Sequence, residues 1–142
     1  MRALWTAGLG CILACGGPGP EDWPDERPLI EEAVFLQSSP FVSDALAFAL
    51  RWRDGDGNLS GGETVLFIAG QRVSSQSNFE LFAEQQPPLP PDAESGWLEF
   101  LVRLDERPSP GQRLAFSFEL VDSAGEVSNR PTVTLRVLGG GS

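Results

Sequence analysis

Large apolar side chains alternate with small or polar ones in four stretches of the chain. In the clearest stretch the even positions are Leu46, Phe48, Leu50 and Trp52, while alanines and arginines fill the odd ones. A repeat of two residues is typical of a strand with one face on the core and one toward solvent. The other three predicted strands have these inward-facing residues: Leu98, Phe100, Val102 and Leu104; Leu114, Phe116, Phe118 and Leu120; Val133, Leu135 and Val137.

Three shorter runs are predicted as further strands. They are Ala33 to Leu36, Thr64 to Ala69 and Asn78 to Phe82, and which face of the first two meets the core is ambiguous. Helix is expected to be minor, because no segment of about ten residues shows a 3.6-residue apolar repeat free of Gly and Pro. About seven short strands separated by Gly, Pro, Asn and Asp clusters predict an all-β fold, an antiparallel β-sandwich.

A turn between the last two predicted strands narrows this fold class. It runs from Val121 to Asn129 and places Asp122, Gly125 and Ser128 in an Asp-x-x-Gly-x-x-Ser pattern. This pattern resembles the final hairpin of bacterial immunoglobulin-like and fibronectin-type-III-like domains, so an immunoglobulin-like β-sandwich is expected. The antibody hallmarks are absent, since this part of the chain has no cysteine pair.

The amino terminus has the layout of an export signal. A single basic residue, Arg2, precedes an apolar run from Ala3 to Ala14, and Cys15 follows directly. A basic start, a short apolar stretch and a small residue before the cut are the features of a secretory signal. The cysteine after the small residue resembles a bacterial lipoprotein signal, which implies cleavage before Cys15 and a diacylglycerol on its thiol. The other cysteine, Cys11, fits that pattern less well.

The chain is accordingly divided into four parts. Residues 1–14 are the predicted signal peptide, 15–28 the lipidated cysteine and a Pro-rich tether, 29–139 the sandwich, and 140–142 a Gly-rich tail. The tether is acidic, with four prolines and no apolar periodicity, so a stiff disordered spacer is expected. In the resembled family a residue other than Asp after the cysteine implies the outer membrane, and Gly16 fits that destination.

Composition excludes several classes of function. The formal net charge is −10, which argues against nucleic acid as a partner, because such binding needs clustered Lys and Arg. The chain has no histidine, which removes Ser-His-Asp and Cys-His catalysis and histidine metal ligands. Both cysteines lie in the first fifteen residues, so the sandwich is predicted to have no disulfide.

The segment from Arg53 to Glu63 is the sharpest candidate for a site. Asp54, Asp56, Asn58 and Ser60 place an oxygen on every second residue of a Gly-rich loop, and oxygens are the ligands that Ca²⁺ prefers. As an EF-hand loop starting at Asp56, the pattern fails at its twelfth position, which is phenylalanine instead of glutamate. Starting at Asp54 it fails as well. An ordinary surface turn explains the same residues, since Asp-Gly and Gly-Asn supply positive φ and Asx hydrogen bonds.

The expected topology brings a second loop to this segment. In a seven-stranded sandwich the connection between the second and third strands lies at the same end as the last hairpin. Asp122 and Glu126 are therefore expected near Asp54 and Asp56, where clustered carboxylates would repel one another without a cation. The candidate Ca²⁺ ligands are Asp54, Asp56, Asn58, Ser60 and Asp122, and the turn and calcium interpretations both stay open.

These features predict a lipid-anchored, non-enzymatic envelope protein whose sandwich serves as a binding or spacer module. Its expected partners are the membrane, through the lipid, and an envelope protein or glycan. The alternative is a carbohydrate-binding or hydrolytic accessory domain that uses Trp97 and the loop carboxylates. Trp97 is opposite in phase to Leu98 and Phe100 and is expected on the exposed face, as a stacking platform or as cover for a sheet edge. A structural filler that binds nothing is a third possibility.

The lipoprotein interpretation predicts that Cys15 alone carries the anchor. Changing Cys15→Ser should release the protein from membranes and abolish palmitate labelling, whereas Cys11→Ser should leave both unchanged. Detergent-phase partitioning of metabolically labelled cells measures both properties. A labelled Cys15→Ser protein in the detergent phase would contradict the assignment.

Overall fold

Two antiparallel sheets packed face to face make up the described part of the chain, residues 23–36, 45–104 and 108–137 of a computed structural model. One sheet has the strand order β1-β2-β5 and the other β4-β3-β6-β7, which confirms the predicted immunoglobulin-like β-sandwich. No helix among these residues is long and apolar enough to cross a membrane. The elements are β1 (Leu29–Phe35), β2 (Ala45–Arg53), a 3₁₀ turn (Leu59–Gly61), β3 (Glu63–Ile68), β4 (Gln71–Ser77), helix α1 (Asn78–Glu84), β5 (Ser95–Arg103), β6 (Arg113–Val121) and β7 (Thr132–Arg136).

The core is centred on Phe48 of β2. Its ring is fully buried and lies 5.2 Å and 5.1 Å, between centroids, from Phe116 and Phe118 of the opposite sheet. Phe48 is also in register with Phe100 on β5. The facing predicted from the alternation is therefore confirmed for β2, β5 and β6, and the two sheets are joined through aromatic contacts.

Strand β3 explains its own ambiguous pattern, because it is covered on both faces. Leu66 pairs with Phe118 and faces the core. Phe67 faces outward but is buried, since the guanidinium carbon of Arg130 lies 3.8 Å from its ring centre. A strand covered on both sides shows a continuous apolar run without alternation.

The prediction of a strand over Asn78 to Phe82 is wrong, because these residues begin helix α1. Asn78, Leu81 and Phe82 are buried while Phe79 and Glu80 are exposed, which is the i, i+3, i+4 spacing of a helix. Asn78 anchors the start of the helix: its Oδ1 accepts a hydrogen bond from the Thr64 hydroxyl at 2.6 Å, and its Nδ2 donates to the Leu59 carbonyl at 2.9 Å.

The seventh strand is β4, which the apolar pattern could not indicate. All seven of its residues are exposed, and it is a strand because its backbone pairs with β3 at the edge of the sheet. In antibody constant domains the fourth strand joins the sheet of the first, second and fifth strands. Here it stays on β3, and α1 with the segment 85–94 leads the chain across to β5.

Residues 23–28, the end of the predicted spacer, dock onto one end of the sandwich. The Gly55 amide donates to the Asp25 carbonyl at 2.8 Å, and Arg27 donates to the Val127 carbonyl at 2.6 Å. Trp23 is held under Arg27, whose guanidinium carbon is 4.6 Å from the indole ring centre. The predicted signal peptide 1–14, Cys11 and Cys15, and the Gly-rich tail 140–142 lie outside the described residues.

The aromatic core predicts a large difference between adjacent residues of β6. Phe118→Ala should lower the unfolding free energy by about 3–5 kcal/mol, because it removes a fully buried ring between the sheets. Ser117→Ala should cost only about 1 kcal/mol, since it loses one hydroxyl contact with Thr132, at 2.9 Å. Urea unfolding of both variants measures the difference, and equal midpoints would contradict this description of the core.

Candidate functional site

The loop between β2 and β3 meets the last hairpin at one end of the sandwich, as the topology predicted. The Ser123 amide donates to the Asn58 carbonyl at 3.1 Å and so connects the two loops directly. The loops are in such close contact that a Cβ at Gly62 would collide with the Val121 carbonyl oxygen. Glycine at this position therefore permits the contact between the two loops.

Three carboxylates come together where the loops meet. Asp54, Asp56 and Asp122 each offer an oxygen, and these oxygens all lie within 4.8 Å of one another. Asp54 and Asp122 are buried, whereas Asp56 is exposed. The sequence therefore predicted the members of a carboxylate cluster that spans two loops.

Each buried aspartate uses one oxygen to shape its own loop. Asp54 Oδ1 accepts a hydrogen bond from the Asp56 amide at 3.2 Å. Asp122 Oδ1 accepts from the amides of Ala124 at 3.0 Å and Glu126 at 2.9 Å. These are Asx-type turns, so the turn interpretation accounts for one oxygen of each residue and leaves the Oδ2 atoms.

Asn58 lies between these two Oδ2 atoms. In the amide orientation that satisfies both of its polar ends, Nδ2 donates to Asp54 Oδ2 at 2.8 Å and to Asp122 Oδ2 at 3.2 Å. Turned by half a rotation, the amide would present its oxygen to the same two carboxylate oxygens, an arrangement that is favourable only with a cation among them. The side chain thus suits both a cation-free and a cation-bound cluster.

The electrostatics of the cluster are unfavourable to its full ionisation. The pKa of Asp54 is raised to about 6, chiefly by burial and then by the neighbouring charges of Asp122, Asp56 and Glu94, against the opposing effect of the hydrogen bond from the Asp56 amide. Glu94 was not singled out from the sequence; its carbonyl accepts the Asp54 amide at 2.7 Å. A buried carboxylate among other carboxylates is stabilised when its charge is neutralised, by a proton or by a cation.

Two of the expected neighbours point away from the cluster. The Ser60 hydroxyl donates to the Pro91 carbonyl at 2.7 Å, so its oxygen holds the segment before β5. The Glu126 carboxylate lies 3.9 Å from Arg27 Nε, and the hydrogen bonds of Glu126 with Asp122 are made by its backbone amide and carbonyl. The predicted alternation of oxygen-bearing side chains therefore brings Asp54, Asp56 and Asn58 to the cluster, whereas Ser60 points away from it.

Trp97 lies in a different feature, a groove of about 1070 Å³. Its indole is 41% exposed on the outer face of β5. Helix α1, the segment 86–90 and β5 line this α1–β5 groove, and none of the three clustered aspartates is among the lining residues. Trp97 and the carboxylate cluster are thus separate surfaces.

The sequence did not indicate two of the glutamates of this groove. Glu80 and Glu84 are four residues apart on α1, so they lie on one face of the helix. Their position was missed because the segment was predicted as a strand. The signal in the sequence was the spacing of Asn78, Leu81 and Phe82, but the segment is too short for periodicity alone to distinguish a helix from a strand.

Comparison with known proteins gives little. No known family matches the chain, and no curated protein is similar to it. Among solved structures, the spore cortex lytic enzyme SleM of Clostridium perfringens is similar over 76% of this chain and 27% of that chain, with 15% identity and a TM-score of 0.43. The chain thus spans about a quarter of that enzyme's length, and a likeness of this size supports no conclusion about activity.

The raised pKa of Asp54 predicts a pH-dependent stability. Between its ordinary value of 3.8 and about 6, the folded protein holds a proton on Asp54 that the unfolded chain releases. The contribution of this group to stability is therefore full below about pH 4 and lost as the pH rises through about 6. In EDTA, the unfolding free energy of wild type minus that of Asp54→Asn should fall by about 2–3 kcal/mol from pH 4 to pH 7.

Urea unfolding at a series of pH values measures this difference. Taking it between two proteins cancels the titration of the other carboxyl groups they share. A difference independent of pH between 4 and 7 would mean that Asp54 is ionised as easily in the fold as in the unfolded chain.

Proposed function

We propose that the chain is a lipid-anchored, non-enzymatic β-sandwich that serves as a binding or spacer module at the outer membrane, with Ca²⁺ as a structural ligand at its loop end. The observation that carries the anchoring is Cys15, directly after the apolar run that ends at Ala14. Two acyl chains on the thiol and a third on the new amino terminus give stable attachment, which a single chain would not.

The docking of residues 23–28 supports a particular orientation of the domain on its anchor. Eight residue steps separate Cys15 from Trp23, and these can span at most about 30 Å when fully extended. Trp23 and Arg27 pack at the end of the sandwich that contains Asp54 and Asp122, since Arg27 donates a hydrogen bond to the Val127 carbonyl in the turn of the last hairpin. The loop end therefore faces the membrane.

A non-enzymatic role is supported by the chemistry of the side chains. The sequence contains no histidine for general acid–base work near neutral pH. The two buried aspartates of the cluster each hold a turn with one oxygen. A structural role accounts for these bonds without assigning either residue to a substrate.

The carboxylate cluster supports Ca²⁺ as the structural ligand. Asp54, Asp56 and Asp122 supply oxygens within 4.8 Å of one another, and Asn58 would add a fourth oxygen after rotation of its amide. Ca²⁺ takes six to eight oxygens, so water would fill the remaining positions. An incomplete protein shell fits a weak site, with a dissociation constant of about 10⁻⁴–10⁻³ M.

Such an ion would join two loops that are far apart in sequence. It would compensate the burial and the repulsion that raise the pKa of Asp54, and it would connect the β2–β3 loop to the last hairpin. Binding only to the folded state, it would stabilise the fold by mass action. At free Ca²⁺ ten times the dissociation constant this amounts to about 1.4 kcal/mol.

One observation favours the second candidate, a carbohydrate-binding or hydrolytic accessory domain. Trp97 is exposed in a groove, which is where an indole can stack on a sugar ring. The cluster of aspartates lies outside that groove, so the candidate rests on Trp97 alone.

Calcium should raise the melting temperature of the purified full chain by a few degrees, because about 1.4 kcal/mol shifts a domain of this size by that amount. Thermal melting in EDTA, in about 5 mM Ca²⁺ and in about 5 mM Mg²⁺ measures the effect. Magnesium should do less, since it gives up its waters reluctantly.

Two loop variants provide the matched comparison. Asp56→Ala should lose the calcium response, whereas Ser60→Ala should keep it, because the Ser60 hydroxyl bonds to Pro91. Identical melts of the wild type in all three solutions would leave the loop as a turn without a metal.

A further inference from the structure

We infer that the α1–β5 groove binds a polypeptide segment that presents arginine or lysine between apolar side chains. The inference rests on the proposed role as a binding module and names the surface and the chemistry of its partner. The groove is lined by Glu80 and Glu84 of α1, by Leu89 of the segment 86–90, and by Trp97, Glu99 and Leu101 on the outer face of β5.

The walls of the groove are held together by the side chain of Gln85. Its amide nitrogen, Nε2, donates to the carbonyls of Leu81 at 2.9 Å and Glu99 at 3.0 Å. Its Oε1 accepts from the Glu99 amide at 3.0 Å. One amide therefore joins the end of α1 to the edge of β5, and the groove needs little ordering when a ligand binds, which favours affinity.

Gln85 also limits how a partner can bind. Strand β5 is an edge strand, and an open edge is where an extended peptide adds as a further strand. At Glu99 both backbone groups are already bonded to Gln85, so a continuous added strand is blocked. A partner must therefore be recognised by the side chains that line the groove.

Those side chains carry uncompensated negative charge. The described lining contains the carboxylates of Glu80, Glu84 and Glu99 and no basic side chain. None of the three forms an ion pair within the described residues, where the ion pairs of glutamate involve Glu31, Glu32, Glu63, Glu119 and Glu126. Like charges four residues apart on a helix destabilise it, and a cationic partner would remove that cost.

The apolar part of the groove adds the second requirement. Trp97 is 41% and Leu101 50% exposed, and between them on the same face of β5 lies Glu99. On β2, Ala47 is in register with Leu101 and Ala49 with Glu99. The residue in register with Trp97 is Arg51, whose guanidinium forms ion pairs with Glu31 and Glu32 of β1. The two alanines beside Glu99 and Leu101 leave room for apolar groups of a ligand, and the indole face of Trp97 can also accept a guanidinium.

This combination favours a peptide over a glycan. An anionic glycan would be repelled by the three carboxylates, and a neutral one would gain nothing from their charge. A side chain of arginine or lysine satisfies the carboxylates, and its apolar neighbours in the peptide satisfy Trp97 and Leu101. A polypeptide supplies both kinds of group in one extended segment.

The test uses two fluorescent nine-residue peptides and the purified full chain. In one, arginine alternates with leucine; in the other, neutral citrulline replaces each arginine. Fluorescence anisotropy should show the arginine peptide binding at least tenfold more tightly than the citrulline peptide, with an affinity that falls as salt is raised. Trp97→Ala, and separately Glu80→Gln with Glu84→Gln, should each weaken binding at least tenfold.

Controls are needed because a chain of net charge −10 attracts any cationic peptide. Glu119→Gln removes a carboxylate on β6, in the other sheet, and Val73→Ala shortens an exposed apolar side chain on β4. Neither substitution should change the dissociation constant of the peptide by more than about twofold, because a single charge outside the groove contributes little. Circular dichroism and melting temperature show that each variant is folded.

Three outcomes would overturn the inference: no binding of the arginine peptide, equal binding by all variants, or equal binding of the arginine and citrulline peptides. A β-1,4-linked N-acetylglucosamine tetramer that binds and is lost in Trp97→Ala, without peptide binding, would assign the groove to carbohydrate. Membrane release of Cys15→Ser and the calcium melts are measured separately, so failure at the groove is distinguishable from failure of the anchor or the metal site.

Discussion

The fold depends on aromatic contact across the two sheets. Phe48 on β2 touches Phe116 and Phe118 on β6, and no disulfide can replace this contact, because both cysteines precede the domain. Apolar burial is proportional to the area removed from water, and three rings at the centre remove a large area at one point. The edges of the sandwich, where β4 is wholly exposed, can therefore vary without loss of the core.

The sequence predicted those parts of the structure in which a local pattern reports directly on burial. Phe48 and Phe118 lie in alternating strands with one face on the core, so their facing was predictable. Strand β4 was not, because an exposed edge strand is specified by its backbone partner β3 and not by its side chains. Helix α1 was mistaken for a strand, since Leu81 and Phe82 form too short a run for its period to show.

The carboxylate cluster was predictable for a different reason. Alternation brought Asp54 and Asp56 to attention, and topology brought Asp122 to the same end of the sandwich. What could not be predicted was orientation: Ser60 turns to Pro91 because the segment before β5 passes over the loop, a contact with no local signal. The raised pKa of Asp54 likewise depends on burial, which follows only from the packed loops.

The carboxylate cluster and the α1–β5 groove both gather negative charges that repel one another, and they differ in the kind of cation that can neutralise those charges. At the loop end, Asp54 and Asp122 are buried close together, so their charges are poorly solvated and repel one another, and a small ion or a proton would neutralise them. Along the α1–β5 groove, Glu80, Glu84 and Glu99 are exposed and spread along two walls, so their repulsion is weak and a long cationic side chain fits between them. In the proposed lipid-anchored arrangement, the short tether would hold the loop end within about 30 Å of the membrane, so that the carboxylate cluster would face the anchor. The α1–β5 groove is separate from that cluster, so its carboxylates stay available to a cationic partner.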